Sequence, residues 1–216
     1  MTAAPFDPFV RARLLQIMDA LERAGGTPIA VRDLHTFAYF VNVLSPLWEV
    51  EPLEGSVLKE RTGPYFPSLQ REIDAAVGMD LLLVHRIVPF REEDGRSGID
   101  ASFSLATDRA QPLLHTISSL PDEFPVRDFL LELAFAFLDI NVGRRDDAAT
   151  MDAAWSDPSV ADNRVVDFAE WVSSTYQNPA WNTAQKFQEF VPEGVTLSRA
   201  EKLVMYMRLM KRRAHG

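Results

Sequence analysis

Six aspartates, Asp146, Asp147, Asp152, Asp157, Asp162 and Asp167, crowd one stretch of the 216-residue chain. Carboxylates gathered in this way could hold two metal ions for hydrolysis, or could divide the roles of acid and base. A nuclease core couples such carboxylates with a lysine on adjacent strands, and no strand–strand pattern is visible here. Asp157-Pro158 and Asp162-Asn163 have the composition of turns. A metal-dependent nuclease is therefore the least favoured reading. A second acidic group, Glu92, Glu93, Asp94 and Asp100 in "REEDGRSGID", lacks the alternating aspartates and the twelfth-position glutamate of a calcium loop. It reads as a solvated hairpin tip. His35, His85, His115 and His215 stand at no ligand spacing from one another and are expected to be structural or superficial. The absence of cysteine excludes disulfides, thiolate metal sites and a cysteine nucleophile. Neither a phosphate-cradling glycine loop nor a nucleophile elbow nor a zinc-protease HExxH motif occurs. No catalytic residue, metal ligand or cofactor site is expected, and the chain is read as non-enzymatic.

Groups that could bind a macromolecule are easier to find. In "PSLQREIDAAVG", Gln70 and Arg71 stand on a short amphipathic segment that could read bases or dock on a partner. Glu72 and Asp74 lie beside them, and the net charge is −9, with the acidic excess spread over both halves. Proteins that grip phosphates usually show a basic face, because counterion release supplies much of the affinity. Autonomous DNA binding is thus disfavoured. The exception is the C-terminal run, where Arg208, Lys211, Arg212 and Arg213 could touch phosphate or an acidic partner, or could simply complement a helix dipole. Trp155, Trp171, Tyr176 and Trp181 are dense but have almost no basic residues among them, so base stacking is the weaker reading. Packing against a buried helix or against a protein partner is the better reading, and in the second case the three tryptophans are the candidate anchors.

The elements that must position these groups are mostly helical. "FDPFVRARLLQIMDALERAGG" predicts a helix capped by Asp7, with Pro8 in its first turn and Val10, Leu14, Ile17, Met18 and Leu21 as its apolar stripe. A second helix is predicted over 31–45, ended by Ser45-Pro46. Residues 46–63 read as a long connection with a short strand at "SVLKE". A third helix runs from Pro67 to Val77, with Gly78 closing it. Next comes a β-hairpin over "LLLVHRIVPFREEDGRSGIDASFSLA", whose second arm alternates at Ile99, Ala101, Phe103 and Leu105. Asp108 and Gln111 suggest a capping box for the next helix, and "FPVRDFLLELAFAFLDI" is apolar enough all round to be a central buried helix. A helix is expected near "DDAATMDAAW", "RVVDFAEWV" is ambiguous between helix and strand, and a helix follows over about 182–190. A final helix should start at Ser198 with Glu201 in a capping box and bury Leu203, Met207 and Met210. The fold class is therefore mainly α with a small β-hairpin. Three helices followed by a hairpin make the N-terminal half, 1–120, winged-helix-like. Residues 121–216 form a helical C-terminal domain packed on it. No apolar run reaches the roughly 20 residues of a membrane helix, and a cytoplasmic location is expected.

Four stretches carry a family resemblance: "FDPFVRARLLQIMDAL", "GPYFPSLQREIDAAVGMDLL", "SDPSVADNRVVDFAEW" and "NPAWNTAQKFQEFVPEGVTLSRAEKLVMYMRLMKRR". Together they resemble the middle-component proteins of bacterial ABC three-component systems, including the accessory subunit of Lamassu-type anti-phage defence. Many relatives have a longer, histidine-bearing segment where this chain has "PLWEVEPLEGSVLKERTG". The resemblance implies a non-catalytic adaptor with a winged-helix half. Its partners would be an SMC- or Rad50-like ABC ATPase and an effector, often a nuclease, with DNA engaged through the complex. The alternative reading is a winged-helix transcription regulator that uses the segment around Gln70 and Arg71 as its reader.

Overall fold

The computed structural model describes residues 7–60, 63–91, 97–152, 155, 164–167 and 178–215. Among these the architecture is mainly helical, with two small antiparallel sheets. Helix α1 (Pro8–Arg23) begins where expected: Asp7 accepts hydrogen bonds from the backbone amides of Phe9 and Val10, satisfying two orphan donors of the first turn. A two-residue strand β1 (Ile29–Ala30) leads straight into α2 (Val31–Trp48), the most deeply buried helix among the described residues. On α2 Leu34, Phe37, Phe40, Val41 and Leu44 are all buried, and so are Tyr39 and Val43.

Helix α2 does not stop at Ser45; it carries Pro46 inside its last turn and ends at Trp48. Proline cannot donate to the carbonyl four residues earlier, which is that of Asn42. The Ser45 hydroxyl donates to that carbonyl instead, at 3.0 Å, and Glu49 closes the helix in the left-handed region at φ 57. The lost backbone bond is thus replaced locally.

Strand β2 (Ser56–Glu60) occupies the "SVLKE" segment as expected. It pairs on one side with β3 (Gly63–Tyr65) and on the other with β6 (Arg164–Asp167), both antiparallel. The ambiguous "RVVD" is therefore a strand, although it belongs to the far half of the sequence. Helix α3 (Pro67–Gly78) follows and packs on α1 through Leu69, Ile73 and Ala76.

The hairpin is formed by β4 (Leu82–Arg91) and β5 (Ser97–Leu105), and β1 lies along the other edge of β5 to give the order β1-β5-β4. A bulge at His85 interrupts the β4 register between Val84 and Arg86. Helix α4 (Thr107–Ser118) has Ala106 at its N-cap with no side-chain cap bond, so the expected Asp108–Gln111 box does not form. Thr107 already lies inside the helix, which places Asp108 two residues past the N-cap, too late to cap it.

Helix α5 (Phe124–Leu138) packs on α1 and α2, but it is not buried all round. Phe129, Leu130, Leu133 and Phe137 face the interior, whereas Phe135 is 55% exposed and Glu132 is on the surface. Its apolar content exceeds its buried face because only one side finds other helices to cover it. The short α6 (Arg145–Thr150), then α7 (Pro179–Lys186) capped by Asn178, and α8 (Arg199–His215) complete the chain. Ser198 and Glu201 make the expected reciprocal capping box at the start of α8, with the Ser198 amide donating to Glu201 Oε2 at 2.7 Å and the Glu201 amide to Ser198 Oγ at 3.2 Å. Leu203, Met207 and Met210 are buried as predicted, along with Tyr206. One apolar core runs from Val10 to Ala214, and the β2–β6 pairing crosses between the first 120 residues and the remainder.

Candidate partner-binding surface

Ionisable groups in the interior hold elements together. Asp152 is fully buried and accepts the hydroxyl of Tyr39 at 2.6 Å and that of Tyr206, so the carboxylate joins α2 and α8. Burial, with the Asp152 charge adding to it, holds both phenols above the usual tyrosine range. Asp33 and Arg145 form a buried ion pair at 2.5 Å between α2 and α6. Burial pushes the Asp33 carboxyl upward, and the Arg145 charge opposes that shift. Asp146 accepts from Thr36 at 2.6 Å and pairs with Arg32 at 2.9 Å, and burial raises its carboxyl as well. Asp147 pairs with Arg144 on the surface. Three of the six clustered aspartates are thus committed to structural contacts. Asp157 and Asp162 lie outside the described residues, and Asp167 pairs with Ser56 in the second sheet. Among the described residues no group of three or more acidic or histidine side chains is placed to hold a metal.

His35 is buried on α2. Its Nδ1 accepts from the Phe66 amide at 3.2 Å, so Nε2 carries the hydrogen and donates to Gln70 Oε1 at 3.1 Å. Burial lowers its pKa to about 4, keeping the ring neutral. Gln70 also donates to Asp74 at 2.9 Å. Both ends of the Gln70 amide are therefore in use, and of the two groups singled out on α3 only Arg71 is exposed, touching Ser68 at 3.1 Å.

At the C-terminal end of α8, Arg208, Arg212 and Arg213 are exposed, and Lys211 pairs with Asp139 at 2.9 Å. Helix α8 packs on α5, α6 and α7, while α3 packs on α1 and β4. Trp155, one of the candidate anchors, is a core residue at 4% exposure, the packing alternative of the two readings. Its ring meets Tyr39 edge-on at 5.6 Å and lies under the Lys59 ammonium at 5.6 Å, because the β2 side of the core leaves space for a large ring. Trp181 is partly buried against the same core, and Trp171 lies outside the described residues.

One group of exposed apolar side chains lies together on the hairpin. Phe103, Leu105 and Leu82 point into the core, and alternation along the strands puts Val84, Ile87, Pro89, Ile99 and Ala101 on the same face. The expected phase of β5 is therefore correct, but burial stops at Phe103. Beyond that point the strands extend past the helices, and Ile87 and Ile99 are 64% and 66% exposed. Nothing in composition signalled this; the inward pattern of a strand is the same whether or not a helix lies beneath it. Large apolar side chains gathered on one projecting face are a common mark of an interaction site.

Comparison with models of known protein families, with curated proteins and with solved structures found no match in any of the three. Among the described residues, no helix is long and apolar enough to cross a membrane.

Proposed function

We propose that this protein is a non-catalytic adaptor or regulatory subunit of an SMC- or Rad50-like ABC ATPase complex in anti-phage, Lamassu-like defence, linking the ATPase to its effector. The observation that carries this reading is the hairpin face, where the core-facing side of the sheet continues as exposed Ile87 and Ile99 with no helix over it among the described residues. A partner's apolar surface would complete the layer that this chain leaves half built. The assignment of the partner rests on the resemblance of the four sequence stretches. A winged-helix half is supported by the order α1, β1, α2, α3, β4, β5, into which β2 and β3 of the other sheet are inserted between α2 and α3, and by β1 lying beside β5.

Helix α3 would be the reading helix of such a fold. The Gln70 amide is occupied by His35 and Asp74, and acidic residues flank Arg71, which favours docking over base reading. DNA is then reached through the complex.

Co-expression with the products of the neighbouring genes, an ABC ATPase and an effector on this reading, followed by affinity capture, tests it. One co-purifying assembly is expected, weakened when Ile87 and Ile99 are replaced by aspartate. A chain that elutes alone in the presence of the expressed ATPase would sink the proposal. Micromolar or tighter binding of the isolated chain to promoter DNA at low salt would favour a transcription regulator instead.

A further inference from the structure

A cleft of about 500 Å3 opens between the turn at residues 24–30, the base of the hairpin and the C-terminal end of α5. Its hairpin wall is polar. Arg86 pairs across the strands with Ser102, and both lie on the opposite face from the apolar strip. Leu138 and Val142 supply the apolar part of the lining. The turn sits hard against that floor, for a Cβ placed on Gly26 would come within 2.7 Å of Leu138 Cδ1.

Arg145 lines the cleft and is only 6% exposed. The ring of Phe137 lies 4.9 Å from its guanidinium carbon, Nη1 donates to Asp33 at 2.5 Å and Nε donates to the Ile140 carbonyl at 3.4 Å. Three contacts thus fix its plane, and the second η-nitrogen has no partner among the described residues. That nitrogen is not sealed from solvent, so it is open to an acceptor entering the cleft. Arg86, on the hairpin wall, makes no ion pair or hydrogen bond to the described residues, and the hydroxyls of Thr27 and Ser102 are likewise unengaged. Helix α2 starts at the cleft with Ala30 as its N-cap and no side chain capping the first amides, and its one first-turn acid, Asp33, is engaged by Arg145.

Two carboxylates also line the space. Asp33 is already spent on Arg145, which leaves Asp100 as the acceptor with a free charge. Unfilled donors outnumber unfilled acceptors, so an anion gains more here than a cation would.

We propose that this cleft binds a small oxyanion, the carboxylate or phosphate group of a small molecule, held by Arg86, the free η-nitrogen of Arg145 and the first amides of α2. The site is separate from the apolar strip and does not depend on the adaptor reading. Its test is a titration of isotope-labelled protein with inorganic phosphate and, separately, with acetate, followed by amide chemical shifts. Saturable shifts confined to residues 25–33 and 100–102 are expected with at least one probe, and the tighter of the two identifies the tetrahedral or the planar anion. Arg86→Gln should weaken that binding by about tenfold, the loss of one charge-assisted contact, while leaving the rest of the spectrum in place. Arg127→Gln, a surface control far from the lining, should leave it unchanged. Absence of saturable shifts with both probes up to about 50 mM, far above the Kd of even a weak specific site, overturns the proposal. So does an unaltered titration in Arg86→Gln, or saturation by methylammonium instead.

Discussion

The hydroxyl of Tyr39 donates to the carboxylate of Asp152 at 2.6 Å, across 113 residues of chain, and both groups are buried. Tyr206 donates to the other oxygen of the same carboxylate. Removing the Tyr39 hydroxyl takes one donor from a buried carboxylate, so Tyr39→Phe should destabilise the fold by about 1–3 kcal/mol. Urea unfolding of the variant against the parent protein measures the loss; a change under about 0.5 kcal/mol, the range of an ordinary surface substitution, would show that the carboxylate is satisfied without Tyr39.

The same pair sets behaviour at high pH. Tyr39 and Tyr206 keep their protons well above the ordinary tyrosine range, while the unfolded chain releases them near the usual value. The folded state therefore binds more protons than the unfolded state once the pH passes about 10, and stability must fall as pH rises further. Unfolding midpoints between neutral pH and strongly alkaline pH should decline, and the decline should shrink in Tyr39→Phe.

At the acid end His35 is the group to follow. Its pKa falls from 6.5 to about 4 in the fold, so the unfolded chain takes up this proton first as pH drops. The stabilisation is fully present above pH 6.5 and is lost as pH falls towards 4, by at most about 3 kcal/mol. Replacing His35 with asparagine should flatten the pH dependence across that window in urea unfolding. An equally steep decline in the variant would assign it to other groups.

Gln70 and Arg71 are neighbours on α3 with opposite expected outcomes. Gln70→Ala removes the acceptor of the buried His35 Nε2–H and should cost about 1–3 kcal/mol. Arg71→Ala removes an exposed side chain bonded only to Ser68 and should change stability by less than about 0.5 kcal/mol. Thermal melts of the two variants separate a structural Gln70 from one held ready for a ligand.

On the hairpin, Ile87→Asp and Ile99→Asp should leave stability within about 0.5 kcal/mol of the parent, because both side chains already face water. Phe103→Asp, two residues further along the same face from Ala101, buries a charge in the core and should prevent folding at 37 °C. Circular dichroism and melting of the three variants show where the core ends along β5.

Local chemistry was readable wherever a residue acts on its near neighbours. Asp7 at the start of α1, Ser198 with Glu201 at the start of α8 and the alternation of β5 all follow from contacts a few residues long. The misreadings have a different cause. Pro46 failed to end α2 because Ser45 satisfies the Asn42 carbonyl from within the helix. Strand β6 could not be told from a helix because its four residues are defined by pairing with β2, more than a hundred positions away. Asp33 and Arg145, 112 residues apart, carried no sign of one another, and neither was singled out as part of a site. Trp155 was open between core and anchor because its ring size suits a partner's pocket as well as a core, and only the packing against Tyr39 decides between them.

The bulge at His85 and the proline at position 89 bear on how anything can approach the hairpin. Strand β4 is the outer strand of its sheet, so its backbone would otherwise offer a ready template for another strand to zip onto. Pro89 lacks one amide and the bulge shifts the spacing of the rest, so the row of donors and acceptors is out of step with any regular strand. A visitor is thereby turned from the rim to the flat of the sheet. Recognition there is read side chain by side chain, and copies of the chain are kept from stacking edge to edge into fibres.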